Sequence, residues 1–241
     1  MPGYVMHLAE AELLLSQLEE HMGPLPGEWK TRFRLGSLLP DTRRRREKAS
    51  SHFWNPGDSR KLAIAPDLSL FLSRYRDVLK GPVMAGYYAH LHLDERFVNH
   101  FWKEQFAFLD EAGREREERA EITTVRIRRS GLEIPEKDFF SPEYYYGDYS
   151  RMNDYFLKRY HLVCPPRRDL PDCPIREVDA GDLSVVLEEL KNLFAGAYSM
   201  GSPDELKVFD LNQLEAFIAA SAREIAPELC RLDPAVEELP E

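Results

Sequence analysis

Six of the seven histidines of this 241-residue chain fall in its first hundred positions, and five of these, His7, His52, His90, His92 and His100, share that stretch with Asp41 and Asp94, the sixth being His21. Imidazole and carboxylate together suit a hard-to-borderline divalent cation such as zinc. His90 and Asp94 are four residues apart in a segment of helical character, which sets them within about 40° of one another on the helix, one turn apart, so that both can grip one ion. His92 points about 160° away from His90 by the same geometry and is not expected to be a ligand. His100 lies six residues beyond Asp94, roughly 9 Å along an unbroken helix, too far for the same ion but suited to a second, which Glu104 could share. A zinc site needs three or four ligands, and a catalytic one keeps a position open for water, so the His-x-x-x-Asp pair is incomplete alone. His7 in the first helix, Asp41 at the Pro40-Asp41 turn and His52 in Ser51-His52-Phe53-Trp54-Asn55-Pro56 are the available complements. Any one of these histidines alone is more often an ordinary surface or core residue; their joint placement makes the set.

The elements that must position these groups are mainly helical. Leu8, Ala11, Leu14, Leu15 and Leu18 recur three and four apart between Val5 and Met22, and Gly23-Pro24 ends that helix. Phe33 to Thr42 reads as a short buried stretch that turns at Pro40-Asp41, and a basic run from Arg43 to Lys48 follows. Leu68 to Leu79 is helical again. From Pro82 a central helix of about thirty residues is expected to end near Gly113. Arg114 to Arg129 is densely charged and briefly β-branched. Ser130 to Ile175 reads as a long ordered Pro- and Tyr-rich connection. Two closing helices are expected at Leu183–Tyr198 and from Leu211 to about Glu224. Strand signals are few and weak, so the predicted fold class is all-α: a single helical domain with a metal-site core in 1–112, the connection in 113–175 and closing helices in 176–241.

Composition narrows the partners. With 32 Lys+Arg against 42 Asp+Glu the net charge is −10, which excludes non-specific duplex DNA binding through a globally basic surface. Cys164, Cys173 and Cys230 show no metal-ligand spacing, and their odd number argues for free thiols without a metal role. No stretch reads as a secretory signal or a transmembrane segment, so the expected location is cytoplasmic.

The ordered set His7, Gly36-Ser37-Leu38-Leu39-Pro40-Asp41, Ser51-His52-Phe53-Trp54-Asn55-Pro56 and His90-Leu91-His92-Leu93-Asp94 with His100 six further on resembles the bacterial zinc-dependent phospholipase C superfamily, which includes the alpha-toxin catalytic domain and the single-strand-specific zinc nucleases. The resemblance covers residues 1 to about 105. It implies an all-helical fold with up to three zinc ions that bind phosphate and activate water to split a phosphodiester. It further implies that Asp41, His52, His90 and Asp94 surround one zinc, that His7 with a shared carboxylate holds a neighbour, that His100 belongs to a third, and that Asp41 is a candidate general base. Two features depart from the pattern: the N-terminal amine ligand of the secreted members has no expected counterpart, and neither does their later His-x-x-x-Glu pair. Glu104 is the candidate replacement, with Asp148 and Asp154 as outer candidates. Arg43, Trp54 and Tyr145 are candidates for contact with a small phosphodiester or phospholipid headgroup, although a solvated loop is the slightly favoured reading of the arginines and packing the commoner role of such aromatics. The sequence thus points to a zinc phosphodiester hydrolase. The competing reading is a degenerate metal-binding or interaction protein of the same fold, while an HD-type phosphohydrolase is disfavoured because no His and Asp are adjacent.

Overall fold

A computed structural model describes residues 2–43, 47–170, 173–196 and 201–232. Helix α1 (Tyr4–Met22) buries Val5, Leu8, Ala11, Leu14, Leu15 and Leu18, the stripe expected from their spacing. It stops at Gly23, whose φ of 84° is a left-handed value that glycine adopts without strain. Helix α2 (Gly27–Gly36) leads through a turn into a single 3₁₀ turn (Leu39–Thr42) that carries Asp41. A four-residue helix α3 (Lys48–Ser51) is capped by His52. Helix α4 (Leu68–Tyr75) and the central helix α5 (Gly81–Arg96) complete the N-terminal half.

Two glycines govern how α2 meets α5. A Cβ on Gly36 would lie 2.3 Å from the carbonyl oxygen of Val83, and one on Gly86 would lie 2.1 Å from that of Phe33. The helix backbones therefore touch where any side chain would separate them, and this brings the carbonyl of Ser37 to the flank of α5.

The central helix is shorter than its sequence suggests. α-Helical geometry ends at Arg96, a π-turn spans Phe97–Phe101, and a final turn, α6 (Trp102–Gln105), precedes strand β1 (Phe106–Leu109). β1 pairs antiparallel with β2 (Thr124–Ile127), with Phe106 opposite Ile127, and β2 pairs with β3 (Glu133–Pro135), with Val125 opposite Ile134. The expectation of an all-α protein is corrected accordingly: the molecule is mostly helical with a small three-stranded antiparallel sheet. Phe106, Val125, Ile127 and Ile134 bury one side of that sheet in the core, which β-branched and aromatic side chains fill well.

The Pro- and Tyr-rich connection is also more structured than expected. It holds β3, a short helix α7 (Glu136–Phe139) and the fifteen-residue helix α8 (Tyr145–Arg159), which buries Tyr145, Asp148, Met152 and Phe156 on one side. Helices α9 (Leu183–Phe194) and α10 (Leu211–Leu232) close the chain, α10 continuing through Pro227 past the expected end. Tyr198, the expected end of α9, lies outside the described residues. α10 packs on α1 and α5, α8 packs on α1, and one hydrophobic cluster runs from Val5 to Leu229. Among the described residues, no helix is long and apolar enough to cross a membrane.

Candidate metal centre

Four elements deliver five ligand-type side chains to one buried point. α1 supplies His7, the 3₁₀ turn Asp41, the end of α3 His52, and α5 both His90 and Asp94. None is more than 8% exposed. His52 Nε2 lies 3.4 Å from Asp94 Oδ2 and 3.5 Å from Asp41 Oδ1, while His90 Nε2 lies 3.7 Å from Asp94 Oδ2. His7 Nε2 approaches Asp94 Oδ1 at 3.5 Å, and its ring stacks on that of His90 with centroids 3.6 Å apart.

The hydrogen bonds around the rings set their tautomers. His90 Nδ1 donates to the Ser37 carbonyl at 2.8 Å, and His52 Nδ1 donates towards the Lys48 carbonyl at 3.2 Å, with Ser51 Oγ 3.0 Å away. Each Nε2 is then a bare lone pair turned into the cluster, and these two nitrogens stand 3.2 Å apart. Two lone pairs at that separation repel and cannot form a hydrogen bond. Ligands about 2.0–2.1 Å from one tetrahedral ion, however, lie about 3.3 Å from each other, which is the spacing found. A carbonyl or carboxylate behind a ligating imidazole is the usual means of fixing which nitrogen faces a metal.

Asp94 supplies the strongest electrostatic argument. Both its carboxylate oxygens are buried without a hydrogen bond, as are both ring nitrogens of His7. Burial alone would push the Asp94 carboxyl up, but the close approach of His7 at 3.5 Å and the electrostatic pull of His90, His7 and His52 hold it well below the usual carboxylate range. Burial likewise opposes ionisation of Asp41, and the Lys48 ammonium with His52 outweighs it, so Asp41 is ionised as well. The histidines move the other way: burial holds His90 well below an ordinary imidazole, the neighbouring His7 adding to it, and burial holds His52 down against the pull of Asp41. At neutral pH His52 and His90 are neutral imidazoles beside two carboxylates, the protonation states a metal requires. Buried His and Asp groups here could hold a metal ion, as two overlapping sets, His7 with His90 and Asp94, and Asp41 with His52 and His90. His90 has one free nitrogen and can serve a single ion, whereas Asp94 has an oxygen towards each side.

The remaining expected residues lie elsewhere. His100 is exposed on the π-turn and contacts Arg96, its Nε2 2.8 Å from Nη1, and Glu104 is exposed on α6; neither reaches the cluster. Their placement rested on an unbroken helix, and the π-turn changes the rotation of everything beyond Phe97. Asp148 is fully buried but structural: it accepts the backbone N–H groups of Lys207, Val208 and Phe209 and pairs with Arg151 at 3.0 Å. Asp154 belongs to neither ligand set. His92 faces away as expected, its Nδ1 3.2 Å from Ser221 Oγ, which donates to a buried Glu10 at 2.7 Å. Burial raises the Glu10 carboxyl well above the carboxylate range, the Ser221 bond opposing and Asp94 adding to it.

Among the substrate candidates, Arg43 lines a cleft beside Asp41 but is tied to Asp182 at 3.2 Å, and Arg44 to Arg46 lie outside the described residues. Trp54 stands next to the cluster, its ring 6.0 Å from that of His52. Tyr145 is packed among Trp102, Phe139, Phe140 and Phe209 and does not line the cleft; Tyr146 and Tyr149 do. Lys48 is the site residue that sequence reasoning missed. Its Nζ lies 2.7 Å from Asp41 Oδ1, and burial of the ammonium is outweighed by Asp41 and Asp94, which raise it above the usual lysine value. The available signal was its place four residues before His52, one helical turn away.

No protein-family model matches the chain, and no curated protein and no solved structure matches it either. What the geometry establishes is a buried His/Asp cluster that could hold a metal ion in a mostly helical protein.

Proposed function

We propose that this protein is a zinc-dependent phosphodiester hydrolase of the phospholipase C type, holding two ions. The observation that carries the reading is the pair of Asp94 oxygens, buried and without a hydrogen-bond partner, among the Nε2 atoms of His7, His52 and His90. Three imidazoles and two carboxylates without a thiolate favour a zinc-type ion, with Asp41, His52, His90 and Asp94 at one position and His7 with the other Asp94 oxygen at its neighbour. A bound ion pair supplies Lewis acidity, bringing the pKa of water towards about 7 and offsetting charge on the phosphoryl oxygens.

The chain's own residues do the rest. Asp41 is the cluster carboxylate that also lines the surface cleft, so it accepts a hydrogen bond from the attacking water and aims its lone pair at phosphorus. The water oxygen–phosphorus bond forms as the phosphorus–alkoxide bond breaks, and the proton lost by water ends on the departing alcohol. Burial of His52 and His90 keeps them neutral and therefore ligating through the physiological range. The cleft of about 340 Å³ and the acidic surface fit a small phosphodiester or a headgroup rather than a polymeric anion.

The test is metal analysis of the purified chain followed by hydrolysis of bis(p-nitrophenyl) phosphate. Two tightly bound zinc ions per chain, with activity abolished in Asp41→Asn and His90→Ala, is the expected result. A folded chain that stays inert when zinc is restored would overturn the assignment. It would instead favour the second reading, a metal-binding protein without turnover, for which the Lys48–Asp41 contact at 2.7 Å speaks, since the ammonium occupies a carboxylate oxygen that catalysis needs.

A further inference from the structure

Asp41 belongs to two surroundings at once. One side joins the buried cluster, and the other opens on the cleft lined by Tyr4, Val5, Lys48, Tyr146, Tyr149 and Leu193, among others. Lys48 sits at that junction. Its side chain is 26% exposed, and its ammonium is held on Asp41 Oδ1 at 2.7 Å. An ammonium has three N–H donors, and Asp41 engages one. Besides Arg43 and Asn153, the cleft is walled by apolar surface and tyrosines, of which Tyr146 is 56% exposed. Arg43, the other cation at the rim among the described residues, is already engaged by Asp182 at 3.2 Å and by the Glu177 carbonyl. Among the described residues, Lys48 is thus the cation poised at the mouth of the cluster, anchored by one donor, on a protein whose net charge of −10 would otherwise repel an anion.

We infer that Lys48 is the anion-binding residue of this site: its ammonium binds a non-bridging phosphoryl oxygen of a small phosphoester while the ester's apolar or aromatic alcohol lies against Tyr146. The inference rests on the reading of the cluster as a metal-dependent phosphoester site and adds the substrate class. A cleft of this volume is of the size that encloses a small molecule, and a rim tyrosine offers a flat, amphipathic wall for the alcohol.

Titration calorimetry of the zinc-loaded protein with inorganic phosphate tests this, with zinc content measured on every sample. Lys48→Met is expected to weaken phosphate binding by about 10- to 100-fold, the loss associated with one charge-assisted hydrogen bond, with zinc content unchanged. Lys48→Arg is expected to restore the affinity to within a few-fold. Tyr146→Ala should raise KM for bis(p-nitrophenyl) phosphate severalfold and leave phosphate affinity as it was. Equal phosphate affinity in the parent and Lys48→Met proteins, both fully loaded, overturns the inference and leaves the metal site standing. Loss of affinity in Lys48→Met that Lys48→Arg does not recover also overturns it, as does an unchanged KM in Tyr146→Ala for the alcohol wall. A parent chain that takes up no zinc overturns both readings.

Discussion

Asp94 is a fully buried carboxylate whose two oxygens have no hydrogen-bond partner, held ionised by the histidines around it. In metal-free protein, Asp94→Asn should lower stability by roughly 1–3 kcal/mol, because a carboxyl held below its ordinary range contributes stability as the ion, which the neutral amide lacks. The same variant should lose the increase in Tm that zinc produces in the parent; scanning calorimetry with and without chelator reads both, and a stabilised apo variant would contradict the account. Proton linkage gives a second expectation. Burial holds His52 and His90 below the ordinary histidine value of 6.5, and burial with the nearby Arg96 holds His92 at about 4. Below that ordinary value the unfolded chain binds protons that the folded chain does not, so the apo protein is at full strength above it and weakens as pH falls. The slope is at most about 1.4 kcal/mol per pH unit for each histidine. Asp41 and Asp94, both held below the usual carboxylate range, add a further loss only as pH drops below about 4. Urea midpoints in chelator at pH 7.5, 6.5 and 5.5 should decline, and constant midpoints would show that these imidazoles are not buried neutral.

At the scale of elements, the α2–α5 contact is the component that aims His90. Gly86 lies one turn before His90, and a methyl group there would meet the Phe33 carbonyl oxygen at 2.1 Å. Gly86→Ala should cost about 1–3 kcal/mol through overpacking and lower zinc affinity as well, since separating the helices withdraws the Ser37 carbonyl from His90 Nδ1. Gly27→Ala is the control: a Cβ there meets nothing within 4 Å, so stability should hold or rise slightly in parallel urea melts. Much of the cluster was legible because its signals are local. The wheel relation of His90 to Asp94, its separation from His92, and the turn at Pro40-Asp41 follow from spacing within one element. His100 and Glu104 were misplaced because a π-turn changes rotation without leaving a compositional mark. β1 and β2 are four residues each, flanked by charges, too short for a period-2 pattern to stand out. α8 was hidden because its buried face is built from tyrosine, an aspartate and a methionine in a Pro- and Tyr-rich stretch. Lys48 was concealed for a different reason, since a lysine closing a run of arginines reads as solvent-facing until the fold turns it onto Asp41.

For the molecule as a whole, the charge balance and the cleft oppose one another over different distances. A net charge of −10 repels an anionic substrate at long range, whereas Lys48 attracts it on contact. Screening lengths fall from about 30 Å at 0.01 M salt to about 8 Å at 0.15 M, so salt should remove the repulsion before it weakens the contact. kcat/KM for an anionic diester is therefore expected to rise modestly over that range, and a steep fall would indicate attractive steering instead. The cluster's burial has a consequence in time as well. His7, His52, His90 and Asp94 are at most 1% exposed and come from helices far apart in the chain, so an ion among them leaves when α1, α3 and α5 part. Removal of metal by a chelator should then proceed at the rate of that opening and become independent of chelator concentration, making the protein slow to exchange its ions whatever their equilibrium affinity.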